Sequence, residues 1–404
     1  MTLGSGRSGA LDCGCHLRES EPGMPPATVA VAMSGGVDSS TAAALLKEKG
    51  YRVIGLTMKL WSDAAAGAGS RDSAAWPPAV ADARRVAEAL AIDHYVVDLE
   101  HEFKDLVVSG FCDQYIRGRT PNPCVVCNSL VKFGLLMRRA VELGAELFAT
   151  GHYVRARYDQ ASGRHQLLKG VDSRKDQTYA LYRLTQDQLS RVIFPLGCHT
   201  KEDVRSLAAR FGLPVASKAE SQEICFIPRG DYREFLRRRK HELARAHGDE
   251  AERPSPSAGV IVDTSGCVLG QHHGIQGFTI GQRKGLGISS DRRLYVVRID
   301  AESNRVVVGE EHELYSRELE AAKCNWVSIE RPLDGMRVEA KVRYSTDTAP
   351  AVVHLDSGDP TSIRVVFERP VRAVTPGQSV VLYDGDLLLG GGIIEGSTPP
   401  CTPI

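Results

Sequence analysis

Three cysteines are the residues of this chain best suited to chemistry. Cys124 and Cys127 stand in "TPNPCVVCN" (120–128), behind a Pro-Asn-Pro turn, and Cys225 stands in "SQEICFIPRGDY" (221–232). A thiolate can attack an electrophile, hold a metal or carry a transferable sulfur. The C-x-x-C spacing leaves three readings: half a zinc clamp, a redox pair or part of a catalytic set. Structural zinc wants four donors. No second C-x-x-C and no H-x-x-x-H accompanies this pair, which argues against zinc. Pro121 and Pro123 put the thiols on a turn at a strand-to-helix junction rather than in an inert core.

The second chemical stretch is "AMSGGVDSS" (32–40). Gly35 and Gly36 let the backbone approach an anion, and Ser34, Ser39 and Ser40 add hydroxyl donors. Free N–H groups at a following helix start supply partial positive charge. The chain has no G-x-x-x-x-G-K-[ST], and the loop lacks the third glycine of the dinucleotide fingerprint. A Gly-rich turn with Asp38 in the first helical turn is the plain structural alternative. The whole S-G-G-x-D-S-S, set between an apolar strand and a helix, resembles the PP-loop of ATP pyrophosphatases. That resemblance implies cleavage of ATP between its α- and β-phosphates, with Asp38 helping to hold pyrophosphate and Mg²⁺.

The elements that must position these residues read as repeated strand, turn and helix. "TVAVAM" (28–33), "YRVIGLTM" (51–58), "HYVVDL" (94–99) and "ELFATGH" (146–152) are strand-like, with helices over 38–49 and 80–92 between them. This predicts an α/β domain with a parallel sheet and ligands at the strands' carboxyl ends. Residues 63–78 read as a surface loop, and 232–247 as a basic helix followed by a breaker-rich linker. From Gly259 short alternating runs predict a small all-β barrel or sandwich.

Bulk properties bound the answer. A chain of 404 residues with 42% hydrophobic and 25% charged content predicts a soluble globular protein of two or three domains. No apolar run approaches the ~18 residues of a membrane span. Ten Cys are too sparse for a disulfide scaffold, which points to a reducing cytoplasm. Lys and Arg number 50, as do Asp and Glu, so any face for RNA phosphates must be local. "RRRK" (237–240) is the densest candidate and reads equally as a solvated helix face. Residues 1–26 are expected to be a disordered extension, with Met24 as an alternative start and "CGCH" (13–16) as a tail rather than a metal site.

Taken together, "SGGVDSS", "GRTPNPCVVCN", "ATGHYVR", "KDQTYAL", "SQEICFIPRGDY", "FTIGQRKGLG" and "VRYS" resemble the tRNA-specific 2-thiouridylases, in that family's order, from about Val29 to Gly391. The resemblance implies a PP-loop catalytic domain (27–226), a central domain (227–300), a C-terminal β-barrel that grips tRNA (301–396) and a short tail (397–404). It implies ATP-dependent adenylation of the C2 oxygen of a tRNA wobble uridine, then sulfur attack from a persulfide on Cys225 with Cys127 as partner thiol. Position 124 holds either Asp or Cys in the family. Its cysteine leaves a second option open, a [4Fe–4S] cluster on Cys124, Cys127 and Cys225. ATP contacts are implied for Ala32, Met33, Ser34, Gly35, Gly36, Val37, Asp38, Ser39, Met58 and Gly151. Contacts with tRNA are implied for Asn122, Pro123, Cys124, His152, Lys175, Asp176, Gln177, Arg343, Tyr344 and Gln378. A persulfide carrier protein or cysteine desulfurase would supply the sulfur. Two rivals stand against this reading. A PP-loop amide- or amidine-forming ligase would need no thiol. A tRNA-binding protein without catalysis would not need Gly35, Gly36, Asp38, Cys127 and Cys225 together.

Overall fold

The computed structural model describes residues 25–61, 77–219, 224–227, 231–246, 258–356 and 358–398, with side chains omitted over 240–246. The expectations for the N-terminal extension, for "CGCH", for most of the 63–78 loop and for the 397–404 tail beyond Thr398 fall outside these residues.

Strand β1 (Thr28–Ala32) is a five-residue apolar run, buried over its last four positions, as a central parallel strand must be. It pairs in parallel with β2 (Arg52–Lys59) and β4 (Leu147–Thr150), and β2 pairs with β3 (Asp93–Asp98). Two further strands, β5 (Val154–Asp159) and β6 (Arg164–Lys169), form a hairpin, and β7 (Val192–Ile193) closes the sheet order β3-β2-β1-β4-β7. Helix α1 (Val37–Glu48) follows β1, and its run from Val37 to Leu46 is almost wholly buried. Helix α2 (Pro78–Ala89) crosses back from β2 with Pro at its first turn, where the missing N–H costs nothing. Every strand and helix read from the sequence in this half is present within three residues of its expected ends.

The remaining strands form two further sheets. β8 (Gly259–Asp263), β9 (Val268–His272), β10 (Tyr295–Asp300) and β11 (Arg305–Gly309) make a small sheet of order β10-β11-β8-β9. The strand Arg305–Gly309 therefore belongs with β8 and β10 rather than with the strands after it. β12 (Tyr315–Trp326), β13 (Met336–Lys341), β14 (Ala349–Leu355), β15 (Ile363–Arg372), β16 (Ser379–Asp384) and β17 (Leu387–Thr398) run in the order β12-β15-β14-β13-β16-β17. A β12–β17 pairing closes them into a six-stranded barrel. Closure leaves no open edge among these six strands.

The seam between the α/β unit and the barrel is not a linker contact. The β5–β6 hairpin of the first unit continues the barrel sheet through β6 and β17. Val327, Val381, Tyr383 and Leu388 of the barrel share one apolar cluster with Leu56, Phe111, Phe133 and Phe148. Tyr179 of "KDQTYAL" donates to the Ser379 carbonyl at 2.8 Å, and Ser379 donates to the Tyr182 hydroxyl at 3.2 Å. The two units share a core, so neither presents a complete surface without the other.

Candidate active site at the phosphate loop and the thiol cluster

The loop 33–36 leaves the carboxyl end of β1 and enters α1. Gly36 is the N-cap residue, and no side chain caps the helix. The first N–H groups therefore remain available to an anion, with the helix dipole behind them. Ser34 and Ser39 face each other, with Oγ atoms 3.2 Å apart. Gly35 has φ +69, and a Cβ there would collide with the Ala79 carbonyl at the start of α2. Two helices thus converge on this loop. Ala32, Met33 and Val37 are buried in the core, so they can offer a nucleotide backbone atoms only. Met58 is half-buried at the end of β2 against the neighbouring core.

Gly151 follows β4, and a Cβ there would lie 2.6 Å from the Ser39 backbone nitrogen and 2.8 Å from the Asp38 carbonyl carbon. The glycine lets the β4 loop press against the start of α1. Gly151→Ala is expected to push that helix end outward. Overpacking of this kind costs on the order of 1–3 kcal/mol. A fall in melting temperature with weaker nucleotide binding checks it; an unchanged melting temperature and unchanged nucleotide affinity would show that the contact does not matter.

Asp38 is held by two groups that sequence reasoning did not single out. Tyr153 Oη donates to its Oδ1 at 2.7 Å, and Lys201 Nζ donates to the same oxygen at 2.6 Å. Tyr153 is the residue after "TGH". Lys201 opens a helix, Lys201–Arg210, whose Thr200/Asp203 capping box fixes its first turn. That Thr-x-x-Asp pattern was legible in the sequence, but its arrival at Asp38 was not. Among the described residues Asp38 Oδ2 accepts no hydrogen bond. One free carboxylate oxygen beside a phosphate loop suits Mg²⁺, which takes one or two carboxylates plus substrate phosphates. Lys218 Nζ reaches the Gly35 carbonyl at 2.9 Å and also pairs with Asp82, tying the start of the Cys225 segment to the same loop.

The three thiols gather although Cys225 is remote in sequence. Asn122 caps the short helix Pro123–Val126, accepting from Val125 N at 3.4 Å, and this sets Cys124 and Cys127 at a helix start. Cys225 is fixed by its neighbour. Phe226 is buried, with ring centroids 5.5 Å from Phe103, 5.3 Å from Phe111 and 5.4 Å from Phe235. The helix Tyr232–Ala246 supplies Phe235 to that cluster, so it packs on the α/β unit. Cys124, Cys127 and Cys225 are all free thiols; Cys124 and Cys225 reach solvent and Cys127 is half-buried. Loss of surrounding water pushes Cys127 up to about 12 and Cys225 up to about 11, and raises Cys124 as well. Cys127 is raised further by the charges of Cys225 and Cys124, which places the three within electrostatic reach of each other.

Lys132 opposes that rise at all three thiols. The stretch Cys127–Leu136 is π-helical. Its i→i+5 hydrogen bonding winds the helix more loosely, so residue 132 comes round closer to the face of residue 127 than α-helical geometry, about 140° away, would bring it. Lys132 Nζ donates to Asn128 Oδ1 at 2.9 Å, and Asn128 donates to the Ala180 carbonyl at 3.2 Å. No sequence signal marks Lys132, because its alignment depends on the π turns. Lys132→Met is expected to slow alkylation of Cys127 and Cys225 by about tenfold at a fixed mildly alkaline pH, one unit of thiol pKa. Lys132→Arg should restore the rate. Mass spectrometry of iodoacetamide-labelled peptides reads this, and equal labelling in all three proteins would remove Lys132 from the picture.

Among the described residues no three His, Cys, Asp or Glu side chains converge on one metal position.

The residues expected to touch tRNA divide by exposure. Tyr344 is 47% exposed, 6.2 Å from Tyr179. Lys175 is half-buried in its polar loop, and Asn122 lies half-buried beside the buried Pro123. Others are engaged inside the protein. His152 is buried, hydrogen-bonded to Thr150 Oγ1 at 2.7 Å and packed on Phe133, and burial holds it well below its usual pKa, so it is a neutral imidazole. Asp176 accepts from Gly170 N, Thr178 N and Thr178 Oγ1, and Gln177 accepts from Tyr153 N. Arg343 donates to the Ile280 and Ala373 carbonyls, clamping the central unit to the barrel. Gln378 donates to the Thr120 and Pro121 carbonyls at 3.1 and 3.2 Å, so the barrel itself holds the Pro-Asn-Pro turn. Within "RRRK", Arg237 and Arg238 pair with Glu234, and Arg239 is buried.

Three domain models match the chain in succession. These are a "tRNA methyl transferase HUP domain" over 27–229, a "tRNA methyl transferase PRC-barrel domain" over 251–310 and an "aminomethyltransferase beta-barrel domain" over 316–394. Full-length relatives carry a different description. A tRNA-specific 2-thiouridylase of Caldanaerobacter subterraneus is 50% identical, covering 91% of this chain and 97% of its own. The corresponding protein of Acetivibrio thermocellus is 48% identical over 92% of this chain and 100% of its own. One from a Thermoanaerobacter strain is 50% identical over 91% and 97%. Identity at this level across all three units outweighs the wording of the domain descriptions, and the chain belongs to the tRNA-specific 2-thiouridylase family.

Proposed function

We propose that this member of the family, a tRNA sulfurtransferase, replaces the C2 oxygen of a tRNA wobble uridine with sulfur in two half-reactions. What supports the proposal is that Cys127 and Cys225, about 100 residues apart in the chain, lie within electrostatic reach of each other. Lys132 acts electrostatically on both thiols and on His152, and Gly151, one residue before His152, lies against Ser39.

In the first half-reaction the uridine O2 attacks the α-phosphorus of ATP and pyrophosphate leaves. The N–H groups at the start of α1, with Ser34 and Ser39, bind the phosphates. Lys201 offers the departing pyrophosphate a cation. Mg²⁺ on Asp38 and the phosphates would offset negative charge there. In the second, the terminal sulfur of a Cys225 persulfide attacks C2 and AMP leaves. The Cys127 thiolate then attacks Cys225 Sγ, expelling the thiouridine sulfur and closing a Cys127–Cys225 disulfide; a thiol reductant returns both to thiols. Lys132 favours the anionic sulfur that each step requires. A persulfide carrier protein or a cysteine desulfurase reloads Cys225, whose solvent contact permits it. The setting is the cytoplasm; among the described residues no helix is long and apolar enough to cross a membrane.

Incubation with ATP, Mg²⁺, a persulfide donor and unmodified tRNA, followed by nucleoside analysis, tests the reaction. One 2-thiouridine should form per AMP released. An amidated nucleoside would favour the ligase reading, and binding without product the non-catalytic one.

A further inference from the structure

A cavity of about 340 Å³ opens at the seam between the α/β unit and the barrel. It is bounded by the helix Gly110–Ile116, the Pro-Asn-Pro turn and the edge of β17. Asn122 and Pro123 line it, whereas Cys124, Cys127, Cys225 and Asp38 do not. The turn therefore has two sides, one carrying Cys124 with the thiol cluster and the other facing this cavity.

Its charge is unusual for a chain of zero net charge. Arg117, Arg119, Arg183 and Lys323 all line it. Arg119 is neutralised by Glu395 at 2.6 Å. Arg117, Arg183 and Lys323 have no carboxylate partner among the described residues. Lys323 adds a second, independent observation. Its φ is +52, a left-handed conformation unusual for a lysine, and it sits where the β12–β17 register shifts between Ala322 and Asn325. Strain and bulges of this kind re-aim side chains at functional places. The apolar walls include Phe111 and Tyr182. Cations beside apolar and aromatic walls match a nucleotide, with its anionic phosphodiester and flat base, better than a bare anion. The volume lies within the range of small-ligand pockets.

The geometry points to a second nucleotide subsite: this cavity takes the RNA nucleotide next to the wobble uridine, its phosphodiester held by Arg117, Arg183 and Lys323. The assignment rests on the reading that Asn122 and Pro123 meet the wobble base. Binding the neighbour here would hold the target uridine out of its stack on the thiol side of the same turn.

Fluorescence anisotropy with an anticodon stem-loop RNA tests it, using wild type, Arg117→Gln, Arg183→Gln, Lys323→Asn and the Arg183/Lys323 double variant. Asparagine tolerates the left-handed backbone at 323. Arg117 is exposed, so its variant isolates charge from folding. Each substitution should weaken binding roughly three- to tenfold and lower the salt slope by about 1. An RNA made abasic at the nucleotide flanking the wobble uridine should bind wild type more weakly, while the double variant should not distinguish it from intact RNA. Wild-type affinity and slope in all variants would overturn the subsite. So would an abasic flank that wild type does not notice, as expected if a sulfur-carrier peptide were the occupant. Thiolation by wild type is scored in parallel. No 2-thiouridine would overturn the proposed reaction, whereas normal thiolation with unchanged variant binding overturns the subsite alone.

Discussion

Cys225→Ser is expected to abolish tRNA thiolation, by on the order of 10⁴-fold or more, while leaving ATP-dependent release of pyrophosphate intact. A serine oxygen cannot carry a transferable sulfur, so the second half-reaction has no donor. The first does not involve this side chain. The fold should survive, because the segment is anchored by buried Phe226 and Ile227 rather than by the thiol. Cys127→Ser should fail at a later point. Sulfur can still reach C2, but Cys225 Sγ is not attacked, and a tRNA–protein adduct that reductant cleaves should accumulate. Cys324 and Cys267 are free thiols outside the trio, and their serine variants should thiolate normally. Nucleoside analysis and gel detection of the adduct separate these outcomes. A Cys225→Ser protein that makes 2-thiouridine at the native rate would end the scheme.

Asp38→Asn is the second large effect, and it falls on the other half-reaction. Adenylation should drop about 10²- to 10³-fold, the usual loss when a preorganised charge at a phosphoryl centre is removed. Asparagine keeps an oxygen to accept from Tyr153 Oη and Lys201 Nζ, which reach Asp38 at 2.7 and 2.6 Å, so the fold should survive with a lowered melting temperature, because the ion pair with Lys201 is lost. What is lost is the negative charge and the second carboxylate oxygen. Lys201, only 10% exposed in its side chain, then faces a neutral amide. Tyr153→Phe is the comparison. It removes one hydrogen bond, worth about 0.5–1.5 kcal/mol, and should lower adenylation far less. Pyrophosphate release measured with tRNA present reads both. Wild-type adenylation in Asp38→Asn would exclude the carboxylate from the reaction.

Most of the α/β unit was legible because its signals are local. A buried parallel strand is an apolar run, a helix start is a cap pattern, and a phosphate loop needs glycine where no Cβ fits, as the clash at Gly35 shows. The alternating runs after Gly259 announced strands in the same way. They did not announce that β12 and β17 would pair to close a barrel, or that β6 would extend it, since register is set by partners distant in the chain. The residues expected to meet RNA show the same limit. Arg343 and Gln378 were chosen by motif, and in the folded chain both also join units, a role no motif announced.

The sequence by itself determined the chemical inventory: the glycine-serine loop, the three thiols and the order of the units, because residue type and local spacing specify them. Only the tertiary structure decided what that inventory touches. Phe226 had to find Phe103, Phe111 and Phe235 before Cys225 could stand near Cys127. Lys132 faces the thiols only through a π-helical repeat, and Lys201 and Tyr153 reach Asp38 from separate elements. Burial, which raises the thiol pKa values, and the charges that oppose it are sums over neighbours brought together by packing, and no window of sequence contains them.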